Sequence, residues 1–503
     1  MIRRPYRLDA DRRSRSCGSG AWFATLRVWV HQALFLLLFG VIGSVATAAS
    51  AQDRLIISGG TIVDAVHERL ITNKVIIIEA GRFKAIIDQV PPGLPGKRVD
   101  ASNKFIIPGM MDGNVHLLLD GRLENLVRHE DRFPALIEEA AQIALKNGVT
   151  TVFDSWGPLD ELILVRDRIR QNKVIGARMY VAGNILGFDG PLSPDFWENS
   201  TKAVSKSLAA RINRRWTQNV GPELLWMTPE QVRAEVRRYI AKGVDFIKYG
   251  ASGHTMTTMP FLAFSPDVQR VIVEEAQAAG RPVQTHTSTV ESVRIAANIG
   301  VNAMQHCELT GPVPLPASLI ETMRQKQIYC GALPSTQARI KTFGAGSKGT
   351  EFEGLDKSLL VGRQNIASLV AAKAKLMLAT DAGVFGADIS SDPLVGARFI
   401  DRAGDLTEIG EGHFRWLQAM EEFGLDPFEM LRAATINVAA AYKKEKVLGS
   451  IATGKIADLV ILDENPLTAA KNYRTISLVI KDGNIIDTGR LPMQPILTAT
   501  SAR

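Results

Sequence analysis

A chain of 503 residues with 46% hydrophobic content is too long for one small domain and can bury a large core. Its formal net charge of +7 sits mostly in the first 51 residues, where seven arginines face only Asp9 and Asp11. The rest of the chain carries about +2, which leaves no broad basic surface and excludes nucleic acid as an expected partner.

Residues 1–51 read as a cleaved signal peptide. Arg3, Arg4, Arg7, Arg12, Arg13, Arg15 and Arg27 precede an apolar run over 33–46, and Ala49-Ser50-Ala51 fits a cleavage site before Gln52. The run is shorter than the ~20 residues a spanning helix needs, although an uncleaved anchor is the alternative. The expectation is a periplasmic or secreted protein with no stable membrane anchor after cleavage. Cys17 leaves with the signal. Cys307 and Cys330 could pair, but the expectation is two buried free thiols.

From 52 to 107, short β-branched runs bounded by turn residues predict part of a small β-sandwich. Similar runs, Ala457-Asp458-Leu459-Val460-Ile461-Leu462 and Ser477-Leu478-Val479-Ile480, return in 436–503 and predict the remaining strands of the same composite domain. Between the flanks, over 108–435, strand and helix signals alternate. Apolar runs at 150–153, 179–182, 246–247, 283–285, 303–305, 328–331 and 376–379 join one before Asp112, making eight. Thr228, Pro229 and Gln231 form a capping-box start closed by Gly243; Ser265-Pro266 and Gly280 repeat the start and stop without the box. The fold class is therefore α/β, a (β/α)8 TIM barrel with a small β-sandwich, and chemistry belongs at the C-terminal strand ends. Two stretches, 187–226 and 343–355, read as long loops. Arg211, Arg214 and Arg215 in the first could hold a substrate carboxylate or simply face solvent.

The strand ends carry the candidate chemistry. Asn114 and His116 lie near strand one, Lys248 ends strand four, His286 strand five, His306 strand six, and Asp381 strand eight. Imidazole, carboxylate and a lysine converted to a carbamate suit zinc or a similar divalent ion. Only neutral lysine reacts with CO2, and desolvation inside a barrel favours that form.

Taken in order, Pro108-Gly109-Met110-Met111-Asp112 with His116, Gly148-Val149-Thr150-Thr151-Val152-Phe153-Asp154, Phe246-Ile247-Lys248, Thr285-His286, Gln305-His306, Thr380-Asp381-Ala382-Gly383 and the run 449–460 resemble the amidohydrolase superfamily, in its imidazolonepropionase-like and prolidase-like branch. The resemblance implies one or two divalent ions, most readily zinc. His116 would hold the first, carboxylated Lys248 would bridge, and His286 and His306 would hold the second. Asp381 would bind metal, act as general base and pass its proton to the leaving group. A divalent ion can lower the pKa of bound water from 15.7 to about 7.

One residue departs from the family pattern: Asn114 stands where a first histidine is usual. Asn114 ligates through oxygen, or the first site is weak or empty, or activity is lost. His254 and Tyr249 are candidate substrate contacts, although Tyr249 could point away because side chains alternate along a strand. Asp112 and Asp154 support ligands rather than serve as them, and His67, His129 and His413 are structural. The resulting expectation is an enzyme, an exported amidohydrolase acting on a dipeptide, N-acyl amino acid or cyclic amide, with a small-molecule partner and a possible homo-oligomer. A lactonase, esterase or deaminase on the same site is the alternative, and a non-catalytic binding protein with a degraded metal site is the alternative of another class.

Overall fold

The computed structural model describes residues 54–120, 124–196, 204–253, 261–346, 355–384 and 408–499, so residues 1–51 and His254 lie outside the described residues. In the N-terminal flank, turn residues cut β-branched runs into β1 (Arg54–Ser58), β2 (Thr61–Asp64), β3 (Arg69–Ile71), β4 (Val75–Glu79), β5 (Arg82–Ile87), β6 (Lys97–Asp100) and β7 (Phe105–Pro108). The barrel strands are β8 (Met110–Asp120), β9 (Val149–Asp154), β10 (Arg178–Val181), β11 (Ile185–Leu186), β12 (Ile247–Gly250), β13 (Val283–His286), β14 (Ala303–Gln305), β15 (Tyr329–Gly331) and β16 (Ala382–Val384). After them come β17 (Leu459–Leu462), β18 (Ile476–Lys481) and β19 (Asn484–Ile486).

The flanks share one of two sheets. One is ordered β5-β4-β1-β6 and the other β19-β18-β17-β7-β2-β3. β17 runs antiparallel to β7, with Leu459 opposite Pro108 and Leu462 opposite Phe105. Ile57, Ile78, Phe83, Ile106, Leu459 and Ile480 meet in one buried cluster, so residues from both ends of the sequence enclose a common core.

The barrel strands form two parallel arcs, β10-β9-β8-β16 and β11-β12-β13-β14-β15. Regular ladders stop at the two seams, where single backbone bonds carry the ring on. Asp245 N donates to Val181 O at one seam. At the other, Met377 N donates to Cys330 O and Gly113 N to Leu378 O. β9, β12 and β13 are buried at every position, as strands covered on both faces must be. The architecture is a (β/α)8 barrel with an appended β domain.

The helix starts follow local chemistry. Thr228 and Gln231 form the reciprocal box ahead of helix Pro229–Ala241, and Ser265 caps helix Pro266–Ala278. Gly243 and Gly280 take the positive φ that reverses the chain after each.

Four expectations change. Residues 376–379 make no strand; Leu376 forms one bridge with Cys330, and the eighth ladder begins at Ala382, beyond the left-handed turn at Asp381. The stretch 187–226 is not simply loop, because helix Lys206–Thr217 buries Ala209, Ile212 and Trp216 beneath its basic surface. Phe343 lies in helix Gln337–Gly346, and Leu355 opens helix Leu355–Ala371. Cys307 and Cys330 are not free thiols: they form a disulfide with Cα atoms 5.9 Å apart, because neighbouring parallel strands bring them within bridging distance.

Candidate active site at the barrel mouth

Residues two apart on a strand share a face, so β8 presents Asn114 and His116 together at the C-terminal side of the barrel. Lys248 comes from the next arc, on β12, and His286 closes β13. His306 follows β14 and Asp381 precedes β16, both with left-handed φ, +58° and +57°. Such a backbone costs a non-glycine residue ~1–2 kcal/mol and concentrates where side chains are aimed for function.

These side chains meet around Asp381. Asn114 Nδ2 donates to Asp381 Oδ1 at 2.7 Å, and His116 Nε2 lies 2.8 Å from the same oxygen. His306 Nε2 is 3.7 Å from Asp381 Oδ2. Lys248 Nζ donates to Asn114 Oδ1 at 3.2 Å, so the Asn114 carboxamide links the lysine to the aspartate. The His286 and His306 rings stand 5.0 Å apart, edge to face. All are buried except Asp381, whose side chain keeps 27% exposure and marks the opening.

Burial governs the charge states. It pushes Lys248 down to about 8 and His306 down to about 4. Burial works to raise the Asp381 carboxyl, but the adjoining His306, His116 and Lys248 hold it well below the usual carboxylate range. At neutral pH Asp381 is a carboxylate facing neutral imidazole.

Beneath the opening, Asp112 accepts from Thr380 N and Oγ1 and from Asn114 N, which fixes β8 against the turn that carries Asp381. Burial raises it to about 7. Asp154 Oδ2 accepts from Leu117 N at 2.8 Å, and its Oδ1 is buried without a hydrogen-bond partner.

The donor chemistry fits a divalent cation. Nδ1 of His306 and Nδ1 of His116 are both buried without a hydrogen-bond partner. A Lewis acid accepting lone pairs from these nitrogens and from Asp381 would offset the cost of burying them. The ligand atoms meet Asp381 in pairs rather than as a closed triad. Among the described residues, three such atoms lie mutually within 4.8 Å only at Cys307, Glu308 and Cys330, where the sulfurs are bonded to each other.

The sequence-derived residues therefore divide. Asn114, His116, Lys248, His286, His306 and Asp381 come together at one mouth. Tyr249 does not: its ring is fully buried on the other face of β12, with Oη donating to Gln269 Oε1 at 3.2 Å, so the substrate-contact expectation is corrected. Two of the three arginines, Arg211 and Arg215, are committed elsewhere. Arg211 clamps Glu130 with both forks, and Arg215 bonds Glu161 while stacking 4.0 Å over Phe133. They line a surface cavity that none of the site residues reaches.

Sequence reasoning missed Glu308, fully buried two residues after His306, with Oε1 accepting from Leu333 N and Oε2 unpartnered. It also missed Tyr442, whose hydroxyl lies 2.6 Å from Gln284 Oε1 under the site. An acid placed just past a strand-end histidine was a usable signal for the first. Nothing local marked the second.

Comparison with known proteins agrees with this architecture. The chain is 34% identical to molinate hydrolase, whose structure superposes with a TM-score of 0.83 over 90% of this chain and 98% of that one. Phenylurea hydrolase B gives 34% and 0.82 over 89% and 100%. Ochratoxinase of Aspergillus niger is 27% identical over 392 residues, 76% of this chain and 75% of that protein. The amidohydrolase family model matches residues 105–486, a span holding every strand that contributes to the mouth, and the chain accordingly belongs to the amidohydrolase family.

Proposed function

We propose that this chain is an exported, metal-dependent hydrolase that cleaves a carbonyl–nitrogen bond of a small molecule, an amide or a urea-type relative. The observation that carries the reading is the ionised Asp381, set between the buried imidazoles of His116 and His306 at the one exposed point of the constellation. The similarity to hydrolases named for molinate, phenylurea and ochratoxin supports it.

His116, His286, His306 and Asp381 would hold the cation, with Lys248 joining them as its carbamate. When bound, the ion supplies Lewis acidity toward the carbonyl and makes water acidic near neutral pH. Asp381 then takes the proton of the attacking water and delivers it to the departing nitrogen; one C–O bond forms as the C–N bond breaks. Asn114 acts in this reading as a spacer that orients Asp381 and steadies Lys248, since both ends of its carboxamide are already engaged.

The test is metal analysis of the purified protein joined to a panel of amides, ureas, dipeptides and lactones, run with zinc, manganese or cobalt. Bound metal and turnover of a C–N substrate are expected. Lys248→Ala should lose the metal and at least about a hundredfold in kcat, within the range that catalytic groups supply; full activity in that variant rejects the assignment. Asn114→His should leave metal content unchanged if residue 114 is not a ligand. Export is checked separately by N-terminal sequencing of extracytoplasmic protein, which should begin at Gln52; an intact Met1 refutes cleavage.

A further inference from the structure

The side chains at the mouth come from both arcs of the barrel. Asn114 and His116 lie on β8 and Asp381 just before β16, in one arc; Lys248 lies on β12, His286 on β13 and His306 just after β14, in the other. Regular ladders stop where the arcs meet, so side-chain links between them bear on how far apart the ligands stand. Tyr442 makes such a link from below. It follows helix Ile436–Ala441 and is buried with Met111, Phe153, Phe246 and Met377 in one apolar cluster. Its ring stacks on Phe153 of β9 at 3.8 Å and meets Phe246, just before β12, at 5.0 Å. Its hydroxyl lies 2.5 Å from the carbonyl oxygen of Gly113, the residue before Asn114. It also lies 2.6 Å from Oε1 of Gln284, two residues before His286 on the same face of β13. One hydroxyl proton cannot serve both acceptors. Turning the Gln284 carboxamide over settles the count: Nε2, otherwise buried without a partner, then donates to Tyr442 Oη and to Ser155 Oγ, and Tyr442 donates to Gly113 O. Gly113 O also accepts from Gln305 Nε2 at 3.4 Å, and Gln305 precedes His306.

We propose that Tyr442 is a positioning residue for the cation site: its hydroxyl ties β8 to β13 below the mouth and so sets the separation of His116 from His286. This rests on the metal-dependent hydrolase reading above and adds to it a residue that touches neither cation nor substrate. A phenylalanine would fill the same layer, so packing asks for the ring and not for the hydroxyl. Burying a hydroxyl among apolar side chains costs free energy unless partners receive it. The partners here are the backbone next to Asn114 and a side chain on the strand of His286, which are the places where a small shift would move ligands. Outer contacts that orient ligands govern metal affinity by about 10–100-fold.

The experiment introduces Tyr442→Phe, which keeps the ring, into the full chain. Competition titration against a chelating dye should show zinc bound at least about tenfold more weakly. The visible spectrum of the cobalt(II) form should change shape, because it reports ligand geometry. For an amide that the unmodified protein hydrolyses, kcat should fall at least about tenfold with KM within about twofold. Gln284→Met should do the same, and the double variant should bind zinc no more weakly than the poorer single one, since both act through one contact. Tyr249→Phe is the control. It loses an equally buried hydroxyl bonded to a glutamine on the outer face of β12 and should leave zinc affinity within about twofold. Equal weakening in that control, unchanged affinity in Tyr442→Phe, or fully additive losses in the double variant overturns the assignment. Hydrogen exchange on the metal-free protein supplies an arm that needs no cation. In Tyr442→Phe, amides over 110–117 and 283–286 should exchange at least about tenfold faster while those of helix Pro229–Ala241 stay unchanged; uniform acceleration, or none, counts against the assignment as well. If the unmodified protein holds no metal, or holds it without turnover, the hydrolase reading fails, and the exchange pattern still decides the role of Tyr442.

Discussion

Asn114 spends its carboxamide oxygen on an ammonium and its nitrogen on a carboxylate, so one neutral side chain separates a buried cation from the partly exposed Asp381. Asn114→Leu keeps the volume and removes both bonds; hydrogen bonds to charged groups are worth ~1.5–3 kcal/mol each, so denaturant titration of the metal-free protein should show a loss of several kcal/mol. A loss below about 1 kcal/mol would mean that water replaces both contacts without cost. His413 illustrates burial without chemistry. Its Nε2 lies 3.0 Å from Asn147 O, and burial pushes it down to about 3. Above pH 6.5 it is neutral folded or unfolded; below, the unfolded chain gains its proton first, so stability falls as pH drops toward 3. His413→Gln should remove up to about 1.4 kcal/mol per pH unit from that slope, read as the difference between the two proteins' acid titrations.

Among the elements, the exit of β14 is fastened by three separate links. His306 N donates to Gly331 O, Glu308 Oε1 accepts from Leu333 N, and the disulfide joins Cys307 to Cys330 on β15. These links hold the left-handed turn that aims His306. The 23-residue separation corresponds to about 3 kcal/mol in the chain-entropy treatment. Reduction with verified thiol release, or the Cys307→Ala/Cys330→Ala pair, should lower stability by about that amount and weaken metal retention; unchanged values on both counts would make the bond dispensable. The strand ends that carry His286 and His306 were legible because short apolar runs stop at polar residues between capped helices, whereas Lys248, expected to end its strand, is followed on β12 by Tyr249 and Gly250. The disulfide was not, since pairing depends on proximity across strands. Nor was the Asn184 carboxamide, which accepts from Trp156 Nε1 and donates to Phe188 O across two loops without periodicity. Helix Lys206–Thr217 was hidden by its own lysine and arginines, which outnumber the three apolar residues it buries.

Across the whole molecule, one half-buried arginine fastens the barrel to its β domain. Arg178 at the start of β10 bonds Asp458, just before β17, and Asp482, just after β18. Burial works against the Arg178 charge, but the two carboxylates hold it firmly protonated. Arg178→Met would leave those carboxylates facing each other, and breaking a buried pair costs ~3–5 kcal/mol. Calorimetry should show a lower Tm and a broadened transition as the two parts lose cooperation; an unchanged single transition would contradict it. The composite sheet was foreseen from the returning β-branched runs, whereas this arginine had no local signature. The placement of β7 between β2 and β17 carries a consequence for biosynthesis. Translation finishes β7 roughly 350 residues before its neighbour exists, so one edge of a hydrophobic ribbon stays unpaired while the intervening polypeptide emerges. A nascent chain halted anywhere short of Leu459 would retain that open edge, an adhesive surface suited to holdase capture or clumping, however well its barrel had formed.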